Sequence, residues 1–284
     1  MVKMAKRRTD KAVAEKICSG FFYGLFLWEK EGGQMRTGKN WNILKRGLKW
    51  TIGIMAAAVI CICVNVGMKG YDMYRDAISQ ISLKDKVEQI RSKENYTEFA
   101  ELPETYVDAV LSVEDHRFYG HIGIDPIAIT RAVINDIRAG TFVEGGSTIT
   151  QQLAKNLYFT QEKKMERKAA EVFMAFALEK EYSKNEILEL YVNTIYFGNG
   201  YYCIKDASEG YFGKAPEDMD DYESTLLAGV PNAPSKYAPT VNPALAAKRQ
   251  EQVLERLVEC GLFTEKRARE TMAETREYQE PDAA

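Results

Sequence analysis

The feature that most constrains this chain is an uncharged run of nineteen residues, Trp50–Met68, between Lys49 and Lys69. A helix rises about 1.5 Å per residue, so a run of this length just crosses a hydrocarbon layer about 30 Å thick. A core helix seldom stays uncharged for so long, and the run lacks the early position and cleavage site of a secretory signal. The sequence therefore predicts one transmembrane helix that stays attached.

Charge is distributed unevenly around this run. Residues 1–49 hold twelve Lys or Arg and four Asp or Glu, a net charge of +8, whereas the whole chain of 284 residues has a net charge of -3. Basic residues accumulate on the cytoplasmic side of membrane helices. We therefore expect a basic cytoplasmic tail over residues 1–49 and an acidic body on the outer face of the cell membrane.

The cysteines predict neither a disulfide framework nor a metal site. Cys61 and Cys63 lie in the predicted span and Cys18 in the tail, which leaves Cys203 and Cys260 in the body. A disulfide between these two is left open, and two separate buried thiols are the favoured interpretation.

The body divides by composition into two parts. Residues 69–100 are polar with scattered apolar positions, which suits a connecting segment more than a core. Residues 101–284 repeat apolar positions every three or four residues, interrupted by glycines and prolines, which predicts a compact all-α domain. The predicted helices are Glu104–Val113, Pro126–Ala139, Thr148–Leu157, Lys163–Tyr182, Lys184–Ile195, Tyr201–Tyr211, Tyr222–Val230, Pro243–Cys260 and Glu265–Ala273.

Two stretches in this domain contain residues suited to chemistry. In Ser112–Asp125, the carboxylates of Glu114 and Asp115 follow an apolar helix, and a carboxylate so placed can take a proton from an alcohol. In Glu144–Phe159, two glycines and Ser147 as N-cap predict a helix start whose N–H groups suit a phosphate. Taken alone, the first stretch also fits a solvated helix end with structural histidines. The second also fits an ordinary capped helix.

Two further stretches follow. In Lys163–Tyr182, helical spacing predicts an apolar stripe facing the core, made of Met165, Ala169, Val172 and Phe176, with Arg167 and Glu171 opposite. Cations are dense here, as a diphosphate would require, although a solvated charged face is the ordinary alternative. In Ser183–Tyr202, the side chains predicted to face the core are Ile187, Leu190, Tyr191 and Ile195. By residue type alone, Asn193 is a packing residue.

These four stretches, in this order, resemble the glycosyltransferase family 51 domain of class A penicillin-binding proteins and monofunctional peptidoglycan glycosyltransferases. The motif E-D-x-x-F-x-x-H-x-G-x-D is met by Glu114, Asp115, Phe118, His121, Gly123 and Asp125, and G-G-S-T-I-T-Q-Q by Gly145–Gln152. R-K-x-x-E is met by Arg167, Lys168 and Glu171, and I-L-E-x-Y-x-N-x-x-x-x-G by residues 187–198. A fifth motif, R-R-x-x-V-L, is met loosely by Lys248, Arg249, Val253 and Leu254.

The resemblance implies a mainly α, lysozyme-like helical domain over residues 101–284, after one transmembrane helix at 50–68. It also implies a membrane-associated lobe, the jaw, formed by residues 69–100 and parts of 120–145. No S-x-x-K or K-T-G follows, so the transpeptidase half is expected to be absent and a monofunctional enzyme is predicted.

The implied activity is polymerisation of lipid II on the extracytoplasmic face of the membrane. Glu114 is the expected base for the acceptor 4-hydroxyl, which attacks the anomeric carbon of the growing lipid-linked glycan. The bond inverts to β-1,4 and undecaprenyl pyrophosphate leaves. Membrane lipid is an expected partner, other wall-synthesis proteins are left open, and no nucleic acid is predicted.

The resemblance also implies roles for other residues. Glu171 is expected to assist at the donor side, with a divalent cation, Mg or Mn, left open there and no other metal predicted. The expected substrate- and phosphate-binding residues are Arg131, Ser147, Gln151, Lys155, Lys163, Arg167, Lys168 and Asn193. Lys163 stands where other members carry arginine, so Lys164 is an alternative to it.

Two other functions would also act at the cell wall or its membrane. A lysozyme-like lytic hydrolase needs a general acid and usually a second carboxylate roughly 5–10 Å away, but no cation cluster for a diphosphate. An inactive membrane scaffold needs neither Glu114 nor Glu171. The cation cluster and the two glutamates therefore favour the transferase.

Overall fold

The structure is a computed structural model that describes residues 37–141, 145–160 and 164–279. Over these ranges it is helical, with a single isolated β-bridge between Gly198 and Tyr201. The predicted mainly α fold class is confirmed. The described residues divide into two units, with the boundary between Cys61 and Ile62.

Twelve α-helices occur in the described ranges, together with short 3-10 turns. They are α1 Thr37–Gln80, α2 Leu83–Arg91, α3 Glu104–Glu114, α4 Pro126–Ala139, α5 Ile149–Tyr158, α6 Met165–Glu181, α7 Lys184–Val192, α8 Ile204–Phe212, α9 Asp221–Gly229, α10 Pro234–Tyr237, α11 Pro243–Glu259 and α12 Glu265–Gln279.

Helix α1 contains the predicted membrane segment and extends beyond it at both ends. Residues 45–65 are all exposed to solvent in the isolated chain. The part Lys45–Gln80 is long and apolar enough to cross a membrane. Exposed apolar side chains along a helix suit a lipid environment, in agreement with the predicted span.

Helix α4 matches its predicted bounds at both ends because its end signals are local. The side chain of Asp125 accepts hydrogen bonds from the first free amides, and Pro126 occupies the first turn. Gly140 ends the helix with φ +65°, a left-handed conformation that favours glycine. Other predicted helices exist with bounds shifted by a few residues. For example, the helix predicted at Tyr201–Tyr211 begins only at Ile204.

Residues 69–100 belong to the core to a greater extent than their composition predicted. Helix α1 continues to Gln80, and α2 follows after two residues. Leu83, Val87 and Ile90 on α2 are buried in the main hydrophobic core. Their spacing places them on one face of the helix, a pattern that the many charges between them obscured. The jaw assignment of this segment stays a prediction.

The core of the second unit is built from two groups of helices. Helix α3 packs against α9 and α11, and α5 packs against α6 and α7. The largest fully buried side chains include Tyr106 on α3, Leu153 on α5 and Tyr191 on α7. Hydrogen bonds described below join the C-terminal end of α3 to α5, and it is there that the candidate site lies.

The predicted core stripe of α6 is wrong. Met165 is 70% exposed and Phe176 is 39% exposed, whereas Glu171 on the supposedly solvated side is only 1% exposed. The charged side turns inward because its carboxylate is paired with cations. Part of the apolar side packs on the end of α1, where a Cβ at Gly70 would lie 2.5 Å from the Cβ of Ala169.

The two cysteines of the body differ in environment. Cys203 is buried and Cys260 is exposed, and both are free thiols. The expectation of two buried thiols is therefore wrong for Cys260. The sulfur of Cys203 accepts a hydrogen bond from the Asp206 amide at the start of α8, and burial raises the pKa of this thiol to about 11.

Candidate active site

A polar cleft of about 760 Å³ lies at the C-terminal end of α3. Its lining brings together four of the predicted site residues, namely Glu114, Arg131, Ser147 and Lys155. Three of these are polar or basic groups around one carboxylate. The cleft can therefore hold a polar, anionic ligand next to a residue able to accept a proton.

Glu114 is the last residue of α3, and its two carboxylate oxygens have different surroundings. Oε2 accepts a hydrogen bond of 2.7 Å from the side-chain amide of Gln152. Oε1 is buried, and no residue in the described ranges forms a hydrogen bond with it. A buried acceptor without a partner is costly and uncommon, which marks Oε1 as the atom that a ligand hydroxyl can satisfy.

Two fully buried tyrosines lie behind this carboxylate. Burial raises the pKa of both Tyr106 and Tyr191, and the negative charge of Glu114 raises each further. Both phenols therefore stay protonated. The hydroxyl of Tyr191 donates to the side-chain oxygen of Gln152 over 3.3 Å.

Asp115 also lines the cleft, but its two oxygens are already bonded within the protein. Both of its oxygens lie 3.0 Å from Nε2 of His121, and Oδ2 also accepts from the backbone amide of Ile149 over 3.1 Å. Asp125 likewise accepts three hydrogen bonds from Arg117 while it caps α4. These carboxylates hold the loop after α3 against the starts of α4 and α5.

Gly123 is required by this loop because its φ of +82° is strained for other residues. Its amide donates to Oε1 of Glu179 over 3.0 Å, and its carbonyl accepts from the Thr148 hydroxyl over 2.7 Å. The same glutamate oxygen accepts from Thr150 and Lys184. No local pattern singles out Glu179, whose role comes from these long-range contacts.

The start of α5 differs from the predicted phosphate site. The N-cap is Thr148, not Ser147, and its hydroxyl accepts from the amide of Gln151. The amide of Ile149 is bonded to Asp115, and the side chain of Gln151 accepts from the amide of Thr148. The expectation of open amides is therefore wrong for Ile149 and Gln151. Gln151 itself is buried as a capping residue and does not line the cleft.

Ser147 instead joins the cleft wall to a buried ion cluster on α6. Its hydroxyl accepts from the ammonium of Lys168 over 2.7 Å, and Lys168 also donates to Oε2 of Glu171 over 2.8 Å. The other oxygen of Glu171 pairs with Arg167. Glu171 thus uses both oxygens to hold two cations beside the cleft.

This cluster does not fit Mg or Mn. Both oxygens of Glu171 already contact cations, which would repel a metal ion. Throughout the described part of the chain, no group of three or more His, Cys, Asp and Glu is arranged to hold one. The divalent cation that was left open at Glu171 therefore has no ligand set there.

Lys155 lies on α5 at the cleft surface, half buried. Burial lowers the pKa of its ammonium group; the negative charge of Glu171 opposes this effect, while Arg167 and Lys168 add to it. A buried ammonium close to other cations gains stability when an anion arrives. Lys155 is therefore well suited to contact a phosphate.

Helix α11 forms a further wall of the cleft. The helix was predicted from the sequence, but most of its cleft-lining residues were not. Arg249, Gln252 and Arg256 line the cleft at a spacing of three and four residues, on one face of the helix. Arg249 donates to the carbonyl of Gly229 and to the side chain of Gln252. The loose fifth motif flagged only Arg249. The helical spacing of these three polar residues was the signal that could have found the rest.

His116 lines the cleft, and its pKa reflects the charges around it. Burial lowers the pKa of this histidine, and Arg131, Arg117 and Arg256 lower it further, while Asp125 opposes them. Several cations therefore act on one point of the lining. The cleft favours an anionic ligand.

Four of the predicted binding residues do not line the cleft, namely Gln151, Arg167, Lys168 and Asn193. Asn193 is 1% exposed and does not line it. Its amide nitrogen donates to the carbonyls of Thr97 and Glu189, and its oxygen accepts from the amide of Thr97. Asn193 thus ties the segment before α3 to α7. Lys163 lies outside the described residues.

Part of this chain is similar to known proteins. Residues 83–258 match the family model described as Transglycosylase. Penicillin-binding protein 1A of Aquifex aeolicus (strain VF5) is 45% identical over 172 residues, which are 61% of this chain and 24% of the relative. Penicillin-binding protein 1F of Bacillus subtilis (strain 168) is 46% identical over 168 residues, which are 59% of this chain and 24% of the relative.

A solved structure, penicillin-binding protein 1A from Haemophilus influenzae, aligns with 44% of this chain and 15% of its own, with 26% identity and a TM-score of 0.31. The chain spans about a quarter of the length of the curated relatives it matches. The matched family region contains the whole cleft lining.

Proposed function

Because this chain belongs to the transglycosylase family, we propose that it is a peptidoglycan glycosyltransferase that polymerises lipid II. One observation carries the proposal. Oε1 of Glu114 is buried and unpartnered over the described ranges, at a cleft whose lining includes Arg131 and Lys155. A proton acceptor next to cations suits the transfer of a sugar from a diphosphate leaving group.

In the proposed reaction, the 4-hydroxyl of the acceptor sugar donates its hydrogen bond to Oε1 of Glu114. The carboxylate takes the proton as the hydroxyl oxygen attacks the anomeric carbon of the growing lipid-linked glycan. The bond from that carbon to the pyrophosphate oxygen breaks on the opposite face, so the product is a β-1,4 linkage. Undecaprenyl pyrophosphate leaves with the electron pair.

The leaving diphosphate would be stabilised by side chains, since the α5 amides of Ile149 and Gln151 are already bonded. Lys155 and Arg131 line the cleft and would contact its oxygens. Glu171 would assist the donor side indirectly, by holding Arg167 and Lys168 in place. Fixed cations stabilise developing negative charge without reorganising during the reaction.

The remaining predicted binding residues take different roles in this proposal. Ser147 lines the cleft and accepts from Lys168, so it would position that cation. Gln151 and Asn193 would support the frame, Gln151 at the start of α5 and Asn193 at the end of α7. Lys163 would bind phosphate through its charge.

A lipid-linked substrate requires the site to work at a membrane. Helix α1 supplies a segment able to span it, and we propose that the basic tail stays in the cytoplasm. Ile127, Ile134 and Ile137 on α4 are exposed apolar side chains, which supports a membrane-associated lobe around this helix.

The rival functions fit the site less well. A lytic hydrolase usually needs a second carboxylate opposite the first, but Asp115 is bonded to His121 and Ile149, and both oxygens of Glu171 pair with cations. A scaffold would have no use for a buried carboxylate oxygen without a partner.

The test is incubation of the purified full chain in detergent with fluorescent lipid II, and separately with preformed glycan. We expect long glycan from lipid II in the wild type and none with Glu114→Gln. Glu270→Gln, which changes a glutamate of α12 that is exposed, is the matched control and should polymerise normally. Shortening of preformed glycan, or no use of lipid II by the wild type, would overturn the proposal.

A further inference from the structure

The reactive carboxylate of Glu114 is the first of three side chains, from three helices, that are joined in a row by hydrogen bonds. Gln152 on α5 donates from Nε2 to Oε2 of Glu114 on α3 over 2.7 Å. Tyr191 on α7 donates from its hydroxyl to Oε1 of Gln152 over 3.3 Å. The row connects the core to the one oxygen of Glu114 that already has a partner.

The chemistry of these groups allows a single direction of hydrogen bonding. An ionised carboxylate only accepts, so Gln152 must turn its NH₂ group toward Glu114 and its oxygen toward Tyr191. Burial raises the pKa of Tyr191 well above its usual range, with the charge of Glu114 adding to the effect. The phenol therefore keeps its proton and can only complete the row as a donor.

We propose that Tyr191 is a positioning residue for the base. Its hydroxyl holds the Gln152 amide in the orientation that donates to Oε2 of Glu114, which leaves Oε1 as the oxygen that receives the proton. The inference rests on the proposed function, because it concerns the base of that reaction.

The physical reason lies in the symmetry of the amide group. The side-chain amide of glutamine has nearly the same shape in its two flipped orientations, so packing alone discriminates poorly between them. Without the Tyr191 hydroxyl, the amide oxygen of Gln152 can turn toward Glu114 and place two acceptors face to face. Glu114 then loses the donor that favours its charged form and fixes its direction.

Tyr106 provides a matched control for the removal of one hydroxyl. Its ring is also fully buried, and the charge of Glu114 also acts on it. Its hydroxyl, however, is bonded to no group in the ranges that the structure describes. Replacing Tyr106 by Phe removes the same atom from the same core without touching the row.

The experiment compares Tyr191→Phe with Tyr106→Phe in the full chain, using lipid II elongation across a range of pH. We expect Tyr191→Phe to lower kcat roughly three- to tenfold, the effect of losing one hydrogen bond, and to move the acidic limb of the profile to higher pH. Tyr106→Phe should leave kcat and the limb unchanged. Equal profiles for the two variants would overturn the inference.

The other charged or titratable groups near Glu114 stay the same in both variants. They are Lys155, Asp115, His116, Arg131, Arg249 and Arg256, which line the cleft with it. A difference between the two profiles therefore reports the row and not these groups.

A second variant tests the row from its centre. Gln152→Met removes both hydrogen bonds and should move the acidic limb in the same direction, with a larger loss of kcat. Adding Tyr191→Phe to Gln152→Met should cause no further loss, because both changes break one connected row. Additive losses, or an unmoved limb in Gln152→Met, would contradict the inference. Thermal unfolding of each variant identifies any loss that comes from misfolding.

The outcomes separate this inference from the proposed function. If the wild type does not elongate lipid II, the proposed function fails and the inference falls with it. If the wild type is active and Glu114→Gln is inactive, while Tyr191→Phe behaves like Tyr106→Phe, then only the role of Tyr191 is refuted.

Discussion

Glu114 at the end of α3 and Glu171 on the inner face of α6 are glutamates of the same family pattern with opposite surroundings. The carboxylate of Glu114 receives one hydrogen bond from a neutral amide, and its second oxygen has no partner in the described ranges. The carboxylate of Glu171 is almost fully buried and pairs with Arg167 and Lys168, one at each oxygen.

The difference shows that one residue type can have two environments at one cleft. Glu114 lines the cleft, and Glu171 is linked to its lining through Lys168 and Ser147. A carboxylate that pairs with a cation at each oxygen has both oxygens already engaged within the protein. A carboxylate with an unsatisfied oxygen is available to a substrate hydroxyl. We therefore propose Glu114 for the chemistry and Glu171 for the placement of positive charge.

The largest expected effect is on the Glu114 side of this comparison. Glu114→Gln keeps the shape of the side chain but removes the base, so kcat for lipid II elongation should fall by about 10²–10⁴-fold. The midpoint of thermal unfolding should not fall. If the variant kept a near-normal kcat, Glu114 would not be the base, and the contrast with Glu171 would no longer hold.

Glu171→Gln should instead act mainly on stability. It leaves Arg167 and Lys168 without their carboxylate, and breaking a buried ion pair costs about 3–5 kcal/mol of the free energy of unfolding. Urea unfolding would measure the loss. We expect a value near the lower end, because Lys168 is 39% exposed and water partly replaces its partner.

The control for this variant is Glu181→Gln, an exposed glutamate at the end of the same helix, which should unfold like the wild type. The comparison would be broken if Glu171→Gln kept full stability but lost as much kcat as Glu114→Gln. That result would place Glu171 among the groups that react.

The smallest expected effect concerns Lys155, a cation on which the charges of both glutamates act. Burial lowers the pKa of Lys155 from 10.5, so its positive charge is lost at a lower pH than that of an exposed lysine. Because the protonated form would bind the diphosphate, kcat/KM should fall as pH rises through this lowered value. Lys155→Arg should move that alkaline limb upward, since arginine stays charged.

Kinetic profiles of kcat/KM against pH would test this expectation. Lys266→Arg, at an 81% exposed lysine on α12, is the matched control and should leave the limb in place. An unmoved limb in Lys155→Arg would show that another group titrates there.

Local signals in the sequence predicted the helices well. The bounds of α4 follow from Asp125, Pro126 and Gly140, all of which act within a few residues of the helix end. The capping prediction for α5 was only one residue off, because Ser147 and Thr148 are both good N-caps and only the contact of Thr148 with the Gly123 carbonyl discriminates between them.

Predictions about which face is buried were less successful. The apolar stripe of α6 was assigned to the core on periodicity, but the residues buried there include Glu171. Periodicity assumes that charge faces water, and this assumption fails where a helix carries its own counter-ions at a spacing of three and four residues.

The sequence by itself determined a membrane-length apolar helix and a mainly α body, and it singled out Glu114 as the proposed base. Only the tertiary structure decided which oxygen of Glu114 lacks a hydrogen-bond partner in the described ranges, which α5 amides are already bonded, and that α11 lines the cleft. The reason is distance along the chain. Gln152 is 38 residues from Glu114 and 39 from Tyr191, so their contacts depend on helix packing and not on local pattern.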